Sequence, residues 1–454
     1  MTRAPTRVLA VDLGATSVRV VSVDVSAPAP TPEVVYRWPH GPVQHADGSL
    51  RWDWERICAE VQRGLLAGLE LGPHASIGVD GWGVDYGLIG TGGDLLSPPY
   101  SYRDERTRSW RMLADRIGRE RLYRMTGIQL MPINTLFQLD AHDAGELDRA
   151  SRLLLLPDLL VHHLTGFVGT ERSNASTTAL LDTGTGDWSS DLIEALGLDP
   201  SLLPPIVTAG DAAGSWKGVP VHAVGSHDTA SAFLAVPGIT TPSTAVISSG
   251  TWVLVGAERP VADVSMAASA ANFSNEAGAL GGVRFLKNVM GFWMLEQCRK
   301  AWGGPPMNEL IAAAGAVSRP VPLVDAADQR FLAPSDMEGE VRAVAGLGAA
   351  ASRAEVVRCI LESIAAGSAR VIEELERIIG TPVDEIFVVG GAARIGLMNE
   401  LFAQHTGLPV TAGSPEATAL GNAIAQGITL GRFGSLDDAR LWVASGSDRV
   451  GAAW

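Results

Sequence analysis

At 454 residues, with 46% hydrophobic and 19% charged residues, the chain is too long for one ordinary core and too apolar for disorder, so two domains are expected. A formal net charge of −15 excludes a broad nucleic-acid surface and leaves any anionic ligand to backbone amides, a metal ion or a few placed cations. The three cysteines (Cys58, Cys298, Cys359) have no metal-ligand spacing, and the apolar run Val8–Val11 stops at Asp12, short of a signal-peptide core or a bilayer span, so a cytoplasmic protein without membrane contact is expected.

In chain order, Arg7 to Asp24 reads as strand, tight turn and strand, with Gly14 allowing the turn and Ala15, Thr16 and Ser17 leaving amides and hydroxyls unobstructed. Such a turn after an acidic residue, Asp12, suits a phosphate and its metal ion; the same residues also fit an ordinary hairpin. Asp53 can cap an amphipathic helix carrying Ile57, Val61, Leu65 and Leu69. Ile77 to Gly87 then crowds two carboxylates, one indole and four glycines at the end of a short strand. That mixture suits a carbohydrate, whose C–H face stacks on Trp82 while Asp80 or Asp85 accepts from hydroxyls; a glycine-rich turn around a buried tryptophan is the plainer alternative. Tyr102 to Thr107 is a charged cluster open to either reading. Gly127 to Thr135 can line a pocket, whereas Leu153 to Val161 reads as core.

Near the middle, Val221 to Gly225 reads as a strand ending in the polar run Ser226-His-Asp-Thr229, followed by a small-residue helix. By itself Asp228 reads as a helix cap, although a strand's carboxyl end is also where α/β proteins present reactive groups. Pro237 to Pro242 marks the expected boundary, dividing the chain into domains 1–238 and 239–454.

Ala245 to Gly256 repeats the pattern of the first hairpin, which suggests a duplicated fold with a phosphate-gripping loop in each half. Ser352-Arg-Ala-Glu355 is a capping box opening a long helix with Ile360, Ile364, Val371 and Leu375 inward and Gly380 at its end. Glu385 to Arg394 reads as a buried strand running into Gly390-Gly391, and Ser414 to Ala423 as a helix start with a closely packing alanine and glycine face.

Together, Val11-Asp-Leu-Gly-Ala-Thr-Ser17, Gly78 to Tyr86, Gly127-Ile-Gln129, Asn134 to Leu139, Ser226 to Ser231, Ser248-Ser-Gly-Thr-Trp252 and Leu286 to Gly291 resemble the motifs of the FGGY carbohydrate kinases, in order and over nearly the whole chain. The resemblance implies an α/β fold of two duplicated actin-like (ribonuclease H-like) domains with an ATP and sugar cleft between them, the first sugar-binding and the second nucleotide-binding. It implies ATP-dependent phosphorylation of the C1 hydroxyl of L-rhamnulose, the small-molecule partners being the sugar and ATP. The alternatives are a kinase for fuculose, xylulose or glycerol, or a non-catalytic ATP-binding sugar sensor.

Carried over position by position, Asp228 would be the proton acceptor, and Trp82, Gly83, His227, Asp228, Thr229 and Asn288 would surround the sugar. Ala15, Thr16, Ser17, Val18 and Arg19 would hold ATP phosphates, Asp12 would face Mg2+, and Thr251, Glu296 and Gly391 would complete the nucleotide site. Two positions depart from the family. Glu296 stands where glutamine is frequent and adds a negative charge beside an anion, and Ala392 stands where a third glycine is usual.

Overall fold

The computed structural model describes residues 5–238, 241 and 243–450; of the expected boundary stretch, positions 239, 240 and 242 lie outside them. The chain forms two compact units, one from Met1–Ile239, Glu258–Phe285 and Glu416–Trp454, the other from Thr240–Ala257 and Leu286–Pro415. A single cut at 238/239 therefore does not separate them in space. The chain re-enters the first unit twice, and the second return is held by the Ala417–Thr429 helix, which packs on the Asp228–Leu234 helix and on strands Arg7–Gly14 and Ser76–Gly81.

The first unit is built on a six-stranded sheet with neighbours in the order 212–216, 219–222, 76–81, 7–14, 17–24 and 33–39. Arg7–Gly14 and Ser17–Asp24 are antiparallel, with Asp12 opposite Arg19 and Gly14 opposite Ser17, so Ala15 and Thr16 form a two-residue turn. Ser76–Gly81 lies parallel to the first strand, with Asp12 opposite Asp80. The hairpin is valine-rich because it is covered on both faces: Val8, Val11, Val18, Val20, Val21 and Val23 are all fully buried. One covering helix is Trp54–Glu70, whose first turn is capped by Asp53 accepting the Arg56 N–H at 3.2 Å, and it buries Ile57, Val61 and Leu65. A second core gathers Tyr86, Leu88, Trp110, Phe137, Leu153 and Leu155 around the antiparallel pair Tyr86–Gly90 and Ala150–Leu155.

In the second unit, Thr244–Ser249 and Trp252–Arg259 form the corresponding hairpin around Gly250 and Thr251. Glu385–Gly390 runs parallel to Thr244–Ser249, with Ser249 opposite Gly390, and Val410–Ala412 runs parallel to it in turn. Each unit thus has a hairpin whose first strand is flanked by a parallel strand ending in glycine, which is the duplication that the two similar stretches of sequence suggest. The Arg353–Ile379 helix begins with the Ser352/Glu355 capping box and ends at Gly380 with φ +69°. Its buried face includes Ile360, Ile364, Val371 and Leu375.

Candidate active site

Three chain segments of the first unit end side by side. Asp12 and Asp80 are register partners on parallel strands, the Trp82 N–H donates to the Leu13 carbonyl at 3.2 Å, and the Gly81 N–H donates to the Ser226 carbonyl at 2.9 Å. Gly81 also bridges His227 in parallel fashion. The hairpin turn, the Trp82 turn and the Ser226–Thr229 run therefore meet at one end of one sheet. This is where open α/β sheets place ligands.

At the hairpin, Asp12 is ion-paired to Arg19 across the two strands, and Arg19 also reaches Glu416 at 2.8 Å. Burial pushes the Asp12 carboxyl up to about 6; Arg19 opposes this, while Asp228 and Glu416 add to it. Asp80, wholly buried, is pushed well above the ordinary carboxylate range by burial and then by Asp12, and its Oδ2 accepts from Asn422 at 2.6 Å. Ala15, Thr16 and Ser17 are half-buried at the turn, whereas Val18 is fully buried between the Leu13 and Trp38 strands. His40 holds the turn from behind, with its backbone N–H on the Thr16 carbonyl at 3.0 Å and its Nε2 2.9 Å from the Gly14 carbonyl.

Asp228 does not occupy the capping position of its helix. His227 does, without a side-chain cap bond, and Asp228 falls in the first turn of Asp228–Leu234 with its side chain 30% exposed. That exposure distinguishes it from the buried His227 and Thr229 beside it. Thr229 donates to Asp228 Oδ1 at 3.1 Å, and His227 Nε2 lies 3.5 Å from the same oxygen. On its other side His227 Nδ1 is 3.2 Å from Glu276 and 3.1 Å from Arg284, which is itself 3.1 Å from Glu276. Burial raises the Glu276 carboxyl, but Arg284 and His227 together hold it below its ordinary value.

Trp82 is placed by Asp85, which accepts from the Trp82 indole at 3.0 Å and the Trp52 indole at 2.7 Å, with the two rings 4.4 Å apart. Asp85 is completely buried, so it anchors the indoles and does not offer itself to a hydroxyl, contrary to the sequence expectation. Burial pushes its carboxyl up to about 6 against the pull of Trp82, Trp52 and Gln138. Asp80 is equally enclosed and faces the hairpin carboxylate instead. Gly83 follows Trp82 and is buried.

In the second unit, Thr251 sits in the hairpin turn, and the Gly250 and Thr251 carbonyls accept the Phe292 and Trp293 N–H groups, each at 3.2 Å. Asn288 is half-buried on strand Val283–Met290. Glu296 is bridged by Arg299 at 2.7 and 2.8 Å within helix Trp293–Ala301, so its extra charge has a local counter-ion. Gly391 is exposed at the start of a short turn. The preceding Gly390 carries φ +83°, and a Cβ there would lie 2.7 Å from the Ser249 carbonyl oxygen, so this is the glycine the geometry requires. Ala392 is buried core, which accommodates the missing third glycine.

Models of the FGGY family of carbohydrate kinases match along the chain, the N-terminal domain over residues 7–232 and the C-terminal domain over 245–430. The chain belongs to the FGGY family of carbohydrate kinases. The chain is 38% identical to the rhamnulokinase of Bacteroides thetaiotaomicron over 445 residues, covering 93% of this chain and 90% of that one. It is 37% identical to the rhamnulokinase of Enterococcus faecalis over 454 residues, covering 96% and 92%. The fold matches the gluconate kinase of Lactobacillus acidophilus (TM-score 0.76, 16% identity, 98% and 96% covered) and the glycerol kinase of Plasmodium falciparum with ADP (TM-score 0.74, 16% identity, 96% and 92% covered). This FGGY kinase is thus an ATP-dependent phosphotransferase with a sugar alcohol group as acceptor, in the two-domain α/β fold of its family. Among the described residues no helix is long and apolar enough to cross a membrane.

Sequence reasoning missed Trp52, Glu276 and Arg284 as site neighbours. One signal was available for Arg284: it is a cation directly between the apolar Val283 and Phe285 in strand Val283–Met290, the pattern of a buried charge that must find a partner.

Proposed function

We propose that this FGGY kinase phosphorylates L-rhamnulose at its C1 hydroxyl, giving L-rhamnulose 1-phosphate and ADP in L-rhamnose breakdown. The end-to-end similarity to proteins named rhamnulokinase supports the substrate. The observation that carries the chemistry is the meeting of the Asp12 and Asp80 strand ends with the His227–Asp228 pair in one unit.

Phosphoryl transfer needs positioning, charge neutralisation and a proton acceptor more than covalent work. Asp228, the partly exposed carboxylate at this point, takes the proton of the C1 hydroxyl as its oxygen attacks the γ-phosphorus of ATP. Trp82, Gly83, His227, Thr229 and Asn288 contact the sugar. Ala15 to Arg19 contact the phosphates of ATP, and Thr251, Glu296 and Gly391 contact the nucleotide. Mg2+ fits the residues around Asp12 in donor type: the donors are carboxylate oxygens, burial and then the Asp228 and Glu416 charges raise Asp12 against the pull of Arg19, and buried Asp80 Oδ1 has no hydrogen-bond partner. Held by Asp12, the ion would neutralise phosphate charge. A cytoplasmic location agrees with three free, buried cysteines.

The test is ADP release by the purified protein over a panel of L-rhamnulose, fuculose, xylulose and glycerol. The highest kcat/KM on L-rhamnulose is expected. Preference for another acceptor overturns the substrate, and ATP binding without any acceptor-dependent turnover overturns the reaction.

A further inference from the structure

Val84, between Gly83 and Asp85, has φ +67°. A β-branched residue rarely adopts the left-handed region, because its Cβ and Cγ atoms crowd the backbone, and such strain persists only where surrounding structure over-determines it. Here both backbone polar groups of Val84 are held. Its N–H donates to Thr177 Oγ1 at 3.2 Å, and its carbonyl accepts from Thr135 Oγ1 at 2.7 Å and from the Gln138 amide at 3.1 Å. The Gln138 amide nitrogen also lies 2.8 Å from the Ile133 carbonyl and 3.2 Å from Asp85 Oδ1. Thr135, Gln138 and Thr177 are all buried, so these bonds form away from competing water.

The neighbouring residues are tied into the same assembly. A Cβ on Gly83 would lie 2.8 Å from Thr177 Oγ1 and 3.1 Å from its Cγ2, so the threonine stands directly against the glycine. Thr177 in turn donates to the Asn174 carbonyl at 2.8 Å. The Asp85 N–H closes on the Gly83 carbonyl at 2.9 Å, and the Asp85 carboxylate carries both indoles.

We propose that Thr135, Gln138 and Thr177 are positioning residues that clamp a strained Gly83–Val84 turn and thereby fix the Trp82 and Gly83 surface offered to the sugar. The clamp reaches no reacting atom. It restricts the turn to one backbone conformation, so the surface is set before the ketose arrives. The inference rests on the reading that Trp82 and Gly83 contact the sugar.

The experiment is steady-state kinetics on Thr177→Val, Thr177→Ser, Val84→Gly and the double variant Thr177→Val/Val84→Gly, with Trp82→Phe beside them. Thr177→Val keeps the shape but removes the acceptor, and loss of one buried hydrogen bond predicts about a tenfold rise in ketose KM with the ATP KM unchanged. Thr177→Ser restores the wild-type KM. Glycine at 84 carries no strain, so in that background Thr177→Val costs less in ketose KM than it does alone. Wild-type ketose KM in Thr177→Val, or an equal penalty in both backgrounds, overturns the clamp. An unchanged ketose KM in Trp82→Phe instead takes the sugar away from this turn and overturns the underlying reading. Thr135→Val, which removes the hydroxyl donor to the Val84 carbonyl, supplies the same two-background comparison where Thr177→Val does not fold.

Discussion

Glu171 accepts the backbone N–H of Ser226 at 2.8 Å, and the Ser173 hydroxyl, which donates to the same carboxylate, accepts the backbone N–H of His227 at 3.2 Å. The two residues before Asp228 therefore hang from a buried acidic side chain more than fifty positions away in sequence. Glu171→Ala leaves a buried donor without its acceptor and is expected to cost about 1–3 kcal/mol of stability and to lower kcat. Glu171→Gln keeps a carbonyl acceptor and should stay near wild type in both. Urea unfolding with steady-state kinetics checks the pair, and equal defects in both variants would show that the negative charge, not the acceptor, matters.

Asp228→Asn should lower kcat by about 10²–10⁴-fold, the usual worth of a general base. The Kd for ADP, read by calorimetry, should hardly change. Turnover close to wild type would remove Asp228 from the role.

Asp12 supplies a pH dependence. Its carboxyl rises from 3.8 to about 6 on folding, so the native state binds more protons than the unfolded state across that window. The stability this group contributes should therefore be fully present below about pH 4 and be lost as pH rises through about 6. Asp12→Asn should flatten that part of the profile. Mg2+ with ADP, binding only the folded state, should restore stability above pH 6 in the wild type but less in Asp12→Asn. Urea midpoints from pH 4 to 7 test this, and identical slopes in both proteins would contradict it.

Gly421 lies where helix Ala417–Thr429 crosses helix Asp228–Leu234, and a Cβ there would collide with the Ser231 carbonyl oxygen. Backbone cannot step aside as a side chain can, so Gly421→Ala should cost about 3 kcal/mol or more and disturb the helix that begins with Asp228. A clear drop in Tm is expected; an unchanged melt would mean the helices separate freely.

Arg299 offsets Glu296, so Arg299→Ala should raise the ATP KM by exposing a carboxylate to the phosphates. The double variant Arg299→Ala/Glu296→Gln should return toward wild type. The pair is half-buried and joins residues one helical turn apart, so it adds about 1 kcal/mol or less to stability and Tm should move little in either variant. An ATP KM unmoved by Arg299→Ala removes Glu296 from the nucleotide site.

The sequence by itself determined the local elements. Both hairpins, the Ser352 capping box, the Gly380 stop and the apolar stripe between them are legible because strand alternation, turn chemistry and capping act over a few neighbouring residues. Family motifs added candidate roles to Asp12, Trp82 and Asp228 for the same reason, since each motif is a short contiguous stretch. Only the tertiary structure decided what those side chains face. Asp85 serves two indoles because Trp52 is brought to it from 33 positions away, and His227 meets Arg284 from 57. Val84 takes a left-handed backbone that its own chemistry opposes, because three distant side chains hold its N–H and C=O. The return of Glu258–Phe285 and Glu416–Trp454 to the first unit is of the same kind. Burial and hydrogen-bond satisfaction are set by contacts between remote segments, and periodicity along the chain carries no record of which remote segments will meet.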